Sequence, residues 1–469
     1  MSGSEAPQVD ELQERMTRLE SLLEARDDRA LRAFLGELHP SDVADIIEHF
    51  EEDAERVRIL DLLPADLASE ALAEMEAHQH PEEILVSLDP ERIGELLEEL
   101  HSDDAADLIG ELEPHEQAQV LSTLEPVDAS ELRELIAYPE DSAGGLMTTE
   151  VVAISIHLTA GEAIQEVRRQ GREVGDDFYN IFVVDLLRRL QGQVGLQELV
   201  LADPDQKIAE MVEPILVSVP VDMDQEEVGR LIGRYNEPSV PVIGPRDTLM
   251  GRITWDDVLD VMEAEQTEDI LRLAGGGREE EVQGEWLDAA KARLPWLVLN
   301  VVTASLGAAV VLLFESTIAA LAILASIMPV IAGLAGTAGT QSLAVTVRRL
   351  ALTPEHAARR WGVAAKELLV GMVNGAVIGL VLGGVVHVLF NVAGLGTESG
   401  MPPGHMLGLV VMLAMWANLI VASSMGAFIP VVLERLGADP AVASSMFVTA
   451  MTDLTGFFLL LGLATHFLL

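Results

Sequence analysis

The sequence contains no cysteine, which removes disulfides, thiolate metal sites and cysteine nucleophiles from consideration. Basic residues are scarce: 29 Lys and Arg stand against 77 Asp and Glu, a formal net charge of −48. A polyanion of this kind excludes nucleic acid as a partner and favours cations. No nucleophile–base pair, metal-hydrolase motif or phosphate-binding loop occurs along the chain, so it does not read as an enzyme. The N-terminus is polar and acidic and lacks the apolar stretch of a signal peptide, which predicts that the first part stays in the cytoplasm.

What is present is divided unequally. Mean hydropathy is +0.29 although 23% of residues are charged, so two unlike parts have been averaged. Residues 286–469 hold 8 basic and 8 acidic residues, and residues 1–285 hold the other 21 and 69. The whole net charge therefore belongs to the first part, and the second is neutral and apolar.

Residues 1–140 read as short amphipathic helices separated by His-Pro, Leu-Pro and Asp-Pro breaks. Ser41-Asp-Val-Ala-Asp-Ile-Ile-Glu resembles Ser102-Asp-Asp-Ala-Ala-Asp-Leu-Ile, and Asp89-Pro-Glu-Arg-Ile-Gly-Glu-Leu-Leu is a looser copy. Each places Ser or Asp at an expected N-cap with acids in the first turn. The pattern predicts an all-α stack of helix pairs, solenoid-like. Most of the acids read as a solvated face. Asp103 and Asp107, at i and i+4, share one face and repel unless a cation lies between them. Histidines 39, 49, 78, 80 and 101 lack metal-ligand spacing and read as surface or cap residues.

Residues 141–255 contain two copies of one β–α order. The second has Met211-Val-Glu-Pro, then Ile215–Val219, Gln225–Tyr235, Ser239–Ile243 and Gly251-Arg-Ile-Thr254-Trp-Asp-Asp257-Val. The first has Met147-Thr-Thr-Glu, Val151–Ile156, Thr159–Gln170 and Ile181–Asp185, with Gly192–Leu199 the poorer fit. The pair resembles tandem CBS domains, α/β regulatory modules that often bind adenine nucleotides. That resemblance implies a nucleotide position at Thr254 and Asp257, with ATP as a candidate ligand. A connecting helix over 256–275 carries Glu263, Glu265, Glu268 and Asp269, and 276–293 reads as a linker.

Residues 294–469 give five apolar spans of membrane length: Leu294–Phe314, Ile318–Val347, Leu368–Phe390, Met406–Val432 and Ala441–Leu468. The second is expected to be interrupted by Pro329 and the small-residue tract from Gly333. Arg348, Arg349, Arg359, Arg360 and Lys366 crowd one loop and Arg435 another. The positive-inside rule then places the N-terminus in the cytoplasm and the C-terminus outside a cell membrane. Asp453 stands in the fifth span among Thr449, Thr452 and Thr455. A charge at mid-bilayer costs about 2.5–3.5 kcal/mol, so it reads as a cation site shared between subunits. The alternative is an Asp that caps or pairs structurally. Glu315 either draws cations to an outer mouth or marks the membrane boundary.

With these parts in order, the chain resembles the MgtE family of magnesium channels over nearly its whole length. The agreements are Ala143-Gly-Gly-Leu-Met-Thr, Asp224-Gln-Glu-Glu, Glu263-Ala-Glu265-Gln-Thr-Glu268-Asp269-Ile, Pro295-Trp-Leu, Phe314-Glu315, Asp439-Pro-Ala and Thr452-Asp453-Leu-Thr-Gly. The resemblance implies a homodimer importing Mg²⁺ through a pore between subunits, with Asp453 holding a hydrated ion and Ser445 and Thr449 lining the way. It implies sensor carboxylates at Glu70, Asp103, Asp107, Asp224, Glu226, Asp257, Glu265, Glu268 and Asp269, and a plug role for the connecting helix when cytosolic Mg²⁺ is high. Departures from the family are Thr337 where Asn is frequent, Asn236 in place of a sensor Asp, and Ser445 and Thr449 where some members have Asn and Ala. A secondary transporter of divalent cations such as Mg²⁺ and Co²⁺, coupled to H⁺ or Na⁺, is the competing reading, with Asp453 as its protonatable carrier. A membrane-anchored sensor or scaffold is the third.

Overall fold

The computed structural model describes residues 18–19, 21–23, 25, 27–50, 52–76, 79–172, 174, 178, 180–274, 286–352, 357–392, 402–436 and 444–469. Asp439-Pro-Ala and His78 lie outside them, as do residues 276–285 of the expected linker. The described chain forms two compact units, Met1–Glu263 and Ala264–Leu469.

The first unit opens with short helices: α1 (Asp28–Leu35), α2 (Pro40–Glu48), α3 (Asp53–Leu62), α4 (Ala65–Ala73), α5 (Pro81–Val86), α6 (Pro90–Glu99), α7 (Ser102–Gly110), α8 (Pro114–Val120) and α9 (Pro126–Leu135). Proline opens α2, α5, α6, α8 and α9. Its fixed φ suits the first helical position, where no intrahelical N–H bond is lost. Each X-Pro break is therefore a helix start. Helices pack mainly on the one two places further along, α2 on α4, α4 on α6 and α7 on α9, the stacking expected of a solenoid. Leu31, Leu35, Ile46, Ile47, Leu60 and Leu72 have no exposed surface, each contributing about 1.5–3 kcal/mol by leaving water.

The expected caps at Ser41 and Ser102 shift. The N-caps are His39 and His101, while Asp89 holds the N-cap position of α6 as expected, without a side-chain cap bond. Pro40 takes the first helical position and pushes Ser41 into the first turn, and the Ser102 hydroxyl is engaged in a tertiary contact described below.

The two β–α copies form matching three-stranded sheets. In the first, β1 (Ala153–Ser155) runs parallel to β2 (Asn180–Val184), which is antiparallel to β3 (Leu190–Gly195); β4 (Val219–Pro220), β5 (Ser239–Ile243) and β6 (Leu249–Thr254) repeat the order. The register shifts at the same place in each, between Val183 and Val184 and between Val242 and Ile243. Gly192 and Gly251 are then equivalent, opposite Val183 and Val242, so the stretch that fits poorly by sequence is the true counterpart. Helices α10 (Ala160–Gln170), α11 (Leu196–Leu201), α12 (Gln225–Tyr235) and α13 (Trp255–Ala274) complete the pair. Asn236 ends α12 in the left-handed conformation at φ 60°, a place Asn tolerates well.

The lead-in segments cross over. Thr148 pairs with Arg252 in β6 of the second copy, and Glu213 with Gln193 in β3 of the first, each through two N–H···O bonds of 2.9–3.0 Å. A Cβ at Gly251 would lie 2.4 Å from the Thr148 carbonyl, and one at Gly192 2.4 Å from that of Glu213. Glycine at both points is what allows each lead-in to lie on the other copy's sheet. One core continues from the helical stack into the second sheet, joining Ile109 and Leu132 to Met147, Val219, Val240 and Val258.

The second unit holds α14 (Trp286–Leu313), α15 (Glu315–Ala320), α16 (Ile323–Leu352), α17 (Ala357–Val392), α18 (Gly404–Arg435) and α19 (Ser444–Phe467). Five of these are long and apolar enough to cross a membrane. Two expectations change. The first long helix begins at Trp286, so 286–293 are helical and not linker. The break near the second span falls at Leu321 and Ala322, and α16 continues through Pro329 and the Gly333 tract. Pro329 removes one helical N–H, but its neighbours Ile327, Met328 and Ile331 are buried in the bundle core, and that packing holds the helix across the gap. Gly371, Gly375, Gly379 and Gly383, one turn apart on α17, bring it onto the backbone of α18, the close approach small residues permit in membrane helices.

Candidate functional sites

In the first unit the carboxylates gather where α7 and α13 begin. Asp103 and Asp104 occupy the first turn of α7 with Asp107 one turn on, while Asp256 and Asp257 open α13. Ala105, Ala106, Leu108 and Ile109 are buried in the core, which fixes the rotation of α7 and leaves its acids on the opposite side. Burial pushes the Asp103 carboxyl well above the ordinary carboxylate range, with Asp104, Asp257 and Glu150 adding repulsion. Asp104 is raised to about 6 by burial and then by Asp257, with His101 opposing. Asp107 is raised to about 7, by loss of surrounding water first and then by Asp104, Glu140 and Asp257. Asp107 is exposed by area, so it is the protein mass around it, not closure over it, that thins its water. Asp257 and Asp260 are also raised, again chiefly by burial.

Asp257 Oδ2 accepts the Thr254 N–H at 3.0 Å and the Thr254 hydroxyl. The Thr254–Asp257 pair is thus a helix cap whose acid joins the carboxylate group. Both partners of the expected nucleotide position are engaged with one another, beside Asp256 and the acids of α7.

A network of hydroxyls anchors this end of α7. Glu150 Oε2 accepts the Ser102 hydroxyl at 2.8 Å, the Ser102 N–H at 3.4 Å and the Thr148 hydroxyl, while the Thr149 N–H donates to Ser102 Oγ at 2.9 Å. Because Thr148 also pairs with Arg252, the start of α7 is tied to the second sheet, from which α13 leaves.

Of the sequence-predicted sensor residues, Asp103, Asp107 and Asp257 come together. Glu70 is exposed on α4, and the charge from that region acting on Asp104 and Asp260 is Glu74. Asp224 caps α12 by accepting the Glu226 N–H at 2.9 Å, and both residues are exposed. Glu265 and Glu268 fall past Glu263 in the second unit, where Glu268 pairs with Arg272; the Asp269 side chain lies outside the described residues. Sequence reasoning missed Asp104, Asp260, Glu74 and Glu150. The doubled Asp103-Asp104 at a helix start was the available signal for the first. His80, Glu82 and Glu83 bring ligand atoms within 4.8 Å of one another, a group that spacing alone did not suggest, and His80 is also the N-cap of α5.

In the second unit, Val448, Thr452, Gly456, Leu460 and Ala464 form the buried stripe of α19 at every fourth residue. Ser445, Thr449, Asp453 and Phe457 form the adjacent stripe, one residue further along. Ser445 and Asp453 are half-buried and Thr449 exposed. Gly307 of α14 brings that helix close to Asp453 and Phe457, at 3.7 and 3.5 Å from where its Cβ would stand. The arrangement is a polar track on an otherwise apolar helix. Glu315 opens α15 and is exposed.

Three family models match the chain: the MgtE intracellular N domain over 14–141, a CBS domain over 208–264, and the MgtE divalent cation transporter over 328–463. The magnesium transporter MgtE of Thermus thermophilus is 35% identical over 466 residues, covering 95% of this chain and 97% of that protein. The Enterococcus faecalis magnesium transporter MgtE is 35% identical over 341 residues, 73% of this chain and 72% of that one. Among solved structures, the cytosolic domain of the Mg²⁺ channel MgtE in complex with ATP is 37% identical with a TM-score of 0.50, covering 52% of this chain and 99% of that chain. The soluble helices, the β–α pair and the membrane helices each find their counterpart in these relatives, and the chain belongs to the MgtE family of magnesium transporters.

Proposed function

We propose that the protein is a Mg²⁺ channel that imports the ion into the cytoplasm and closes when Mg²⁺ occupies the carboxylate group at the starts of α7 and α13. The observation that carries the gating is the raised set of Asp103, Asp104, Asp107 and Asp257. Carboxylates crowded in this way repel one another and hold protons unless a cation relieves them. Mg²⁺ is small and gives up its waters reluctantly, so a loose ring of acids can hold it through those waters. Relief of the repulsion favours the compact arrangement, and loss of Mg²⁺ lets the acids part. Several weak sites acting on one equilibrium supply the roughly 5.5 kcal/mol that moves a population from 1:99 to 99:1. Helix α13 runs from this group to Glu265, Glu268 and Asp269 and is the element we assign to carry the movement to the pore.

We assign the ion's route to the stripe of Ser445, Thr449 and Asp453, with Asp453 of two subunits of a homodimer holding the hydrated ion. The N-terminus is placed in the cytoplasm and the C-terminus outside, on the distribution of Arg and Lys. Crystallisation of a similar cytosolic domain with ATP supports ATP at the CBS pair, and the acids beside Thr254 and Asp257 favour a cation over a polyphosphate at that particular spot.

The test is Mg²⁺ uptake into liposomes carrying the full chain, with no H⁺ or Na⁺ gradient. Wild type is expected to pass Mg²⁺ down its own gradient and Asp453→Ala to fall to background. Uptake that needs an H⁺ or Na⁺ gradient would replace the channel with a coupled transporter, and normal uptake by Asp453→Ala would refute the assigned route.

A further inference from the structure

Asn418 is a fully buried polar residue in α18 that the proposed route does not use. We propose that Asn418 is a positioning residue that sets the rotation and depth of α19, and thereby where the Ser445–Thr449–Asp453 stripe stands. The proposal rests on the assignment of Asp453 to the ion's route.

Asn418 Oδ1 lies 2.8 Å from Thr455 Oγ1, and Nδ2 has no acceptor among the described residues. On the other side of the amide is Gly456, where a Cβ would stand 2.5 Å from Asn418 Nδ2, 3.2 Å from its Cγ and 3.2 Å from Ile331 Cγ2 of α16. The amide is therefore wedged at the meeting of three helices, against two consecutive residues of α19 that begin two positions after Asp453. The Thr455 hydroxyl has one proton and three acceptors within reach, the Met451 carbonyl at 2.7 Å, Asn418 Oδ1 at 2.8 Å and the Thr452 carbonyl at 3.3 Å. With the amide turned over, Nδ2 donates one proton to Thr455 Oγ1, that hydroxyl keeps its bond to the Met451 carbonyl, and Oδ1 takes the place beside Gly456. Amide ends are assigned from such networks.

This contact reads the register of α19. A helix turns 100° per residue, so only one setting presents a hydroxyl and, beside it, a position without a Cβ at the level of Asn418. A slip by one residue brings the side chain of Phe457 or Thr455 to the place Gly456 leaves open. An apolar side chain of similar size would fill the site without reading that pair, and a buried amide with an unmade bond is costly.

The experiment uses the full chain in liposomes and compares wild type with Asn418→Leu, Thr455→Val, Gly456→Ala and the double variant Asn418→Ala/Gly456→Ala, with Asp453→Ala as control. Readouts are the Mg²⁺ concentration for half-maximal uptake and the preference for Mg²⁺ over Ca²⁺. Asn418→Leu is expected to change both by about fivefold, the scale of one hydrogen bond, and Gly456→Ala, whose methyl would press on the Asn418 amide, to change both at least as much. Thr455→Val keeps its shape and is expected to change them less, and it serves where the larger changes prevent folding. The double variant should recover toward wild type relative to Gly456→Ala, because truncating Asn418 makes room for the added methyl. Wild-type concentration dependence and cation preference in Asn418→Leu or Thr455→Val, with Asp453→Ala inactive, would overturn the proposal and leave the route standing. Normal uptake by Asp453→Ala would instead remove the reading on which the proposal depends.

Discussion

In the first unit Asp103, Asp104, Asp107 and Asp257 crowd at two helix starts, whereas in the second Asp453 is the one acid among Ser445, Thr449 and the other hydroxyls of its helix. The crowded acids are tuned by one another: each raises its neighbours' affinity for any positive charge, proton or metal. The solitary acid has no such help and, in the proposed route, would rely on its surroundings and on a second copy of itself to hold an ion. A crowd responds steeply to concentration, since each ion relieves several repulsions. A lone carboxylate holds an ion weakly enough to release it. The same side chain thus suits a sensor in one place and a passage in the other, by the company it keeps.

Removing the crowd should have the largest effect on this contrast. Replacing Asp103, Asp107 and Asp257 together by Asn is expected to raise the Mg²⁺ concentration that halves uptake by about tenfold, which corresponds to 1.4 kcal/mol of binding. The same variant should melt at higher temperature than wild type without Mg²⁺, because the repulsion is gone. A lower melting temperature would mean that these acids support the fold by another route. Uptake at low Mg²⁺ should remain that of wild type, since α19 is untouched.

Acidity offers a smaller, graded test. Asp104 and Asp107 titrate at about 6 and about 7 in the folded unit against an ordinary value of 3.8. Since the folded values are the higher, the Mg²⁺-free first unit should gain stability as pH falls from about 7 toward 4 and lose it again as pH rises. Mg²⁺ must displace those protons, so closure should need more Mg²⁺ near pH 6 than near pH 8. Thermal melting and uptake titrations at the two pH values check both directions, and a pH-independent threshold would separate closure from these carboxyls.

The smallest expected change comes from the anchor. Glu150→Gln keeps the size of the side chain but weakens its hold on Ser102 and Thr148, and it removes one charge from beside Asp103. The threshold should move by only about twofold to fivefold, the scale of one hydrogen bond. Ser102→Ala should act in the same direction through loss of the hydroxyl alone. Equal shifts from both would assign the effect to anchoring, and a shift from Glu150→Gln alone would assign it to charge.

Much of this arrangement is legible along the chain because its causes are local. Proline after His39, Asp89 or Glu125 marks helix starts by fixing φ, and apolar runs of membrane length mark five spans. Asp103 and Asp107 share a face by helical spacing, as do Ser445, Thr449 and Asp453. What was not legible depends on contacts distant in sequence. Asp104 and Asp260 matter because α13 begins where β6 ends, beside α7. Asn418 reads as one polar residue in an apolar run until Thr455 and Gly456 are seen beside it. Pro329 suggests a break by its own chemistry, and only the packing of Ile327 and Ile331 shows why the helix passes through it.

The exchanged lead-ins around Gly192 and Gly251 bear on the order in which the chain acquires its shape during synthesis. The first sheet is not completed at Gln193 until Glu213 has emerged, and the segment at Thr148 waits for Arg252, roughly a hundred residues later. Contacts so far apart are slow to close, and until they do, both sheets present bare edges open to pairing with another chain. Neither copy can be finished alone. A gene fragment encoding just one of them would yield a half-module seeking its missing strand elsewhere.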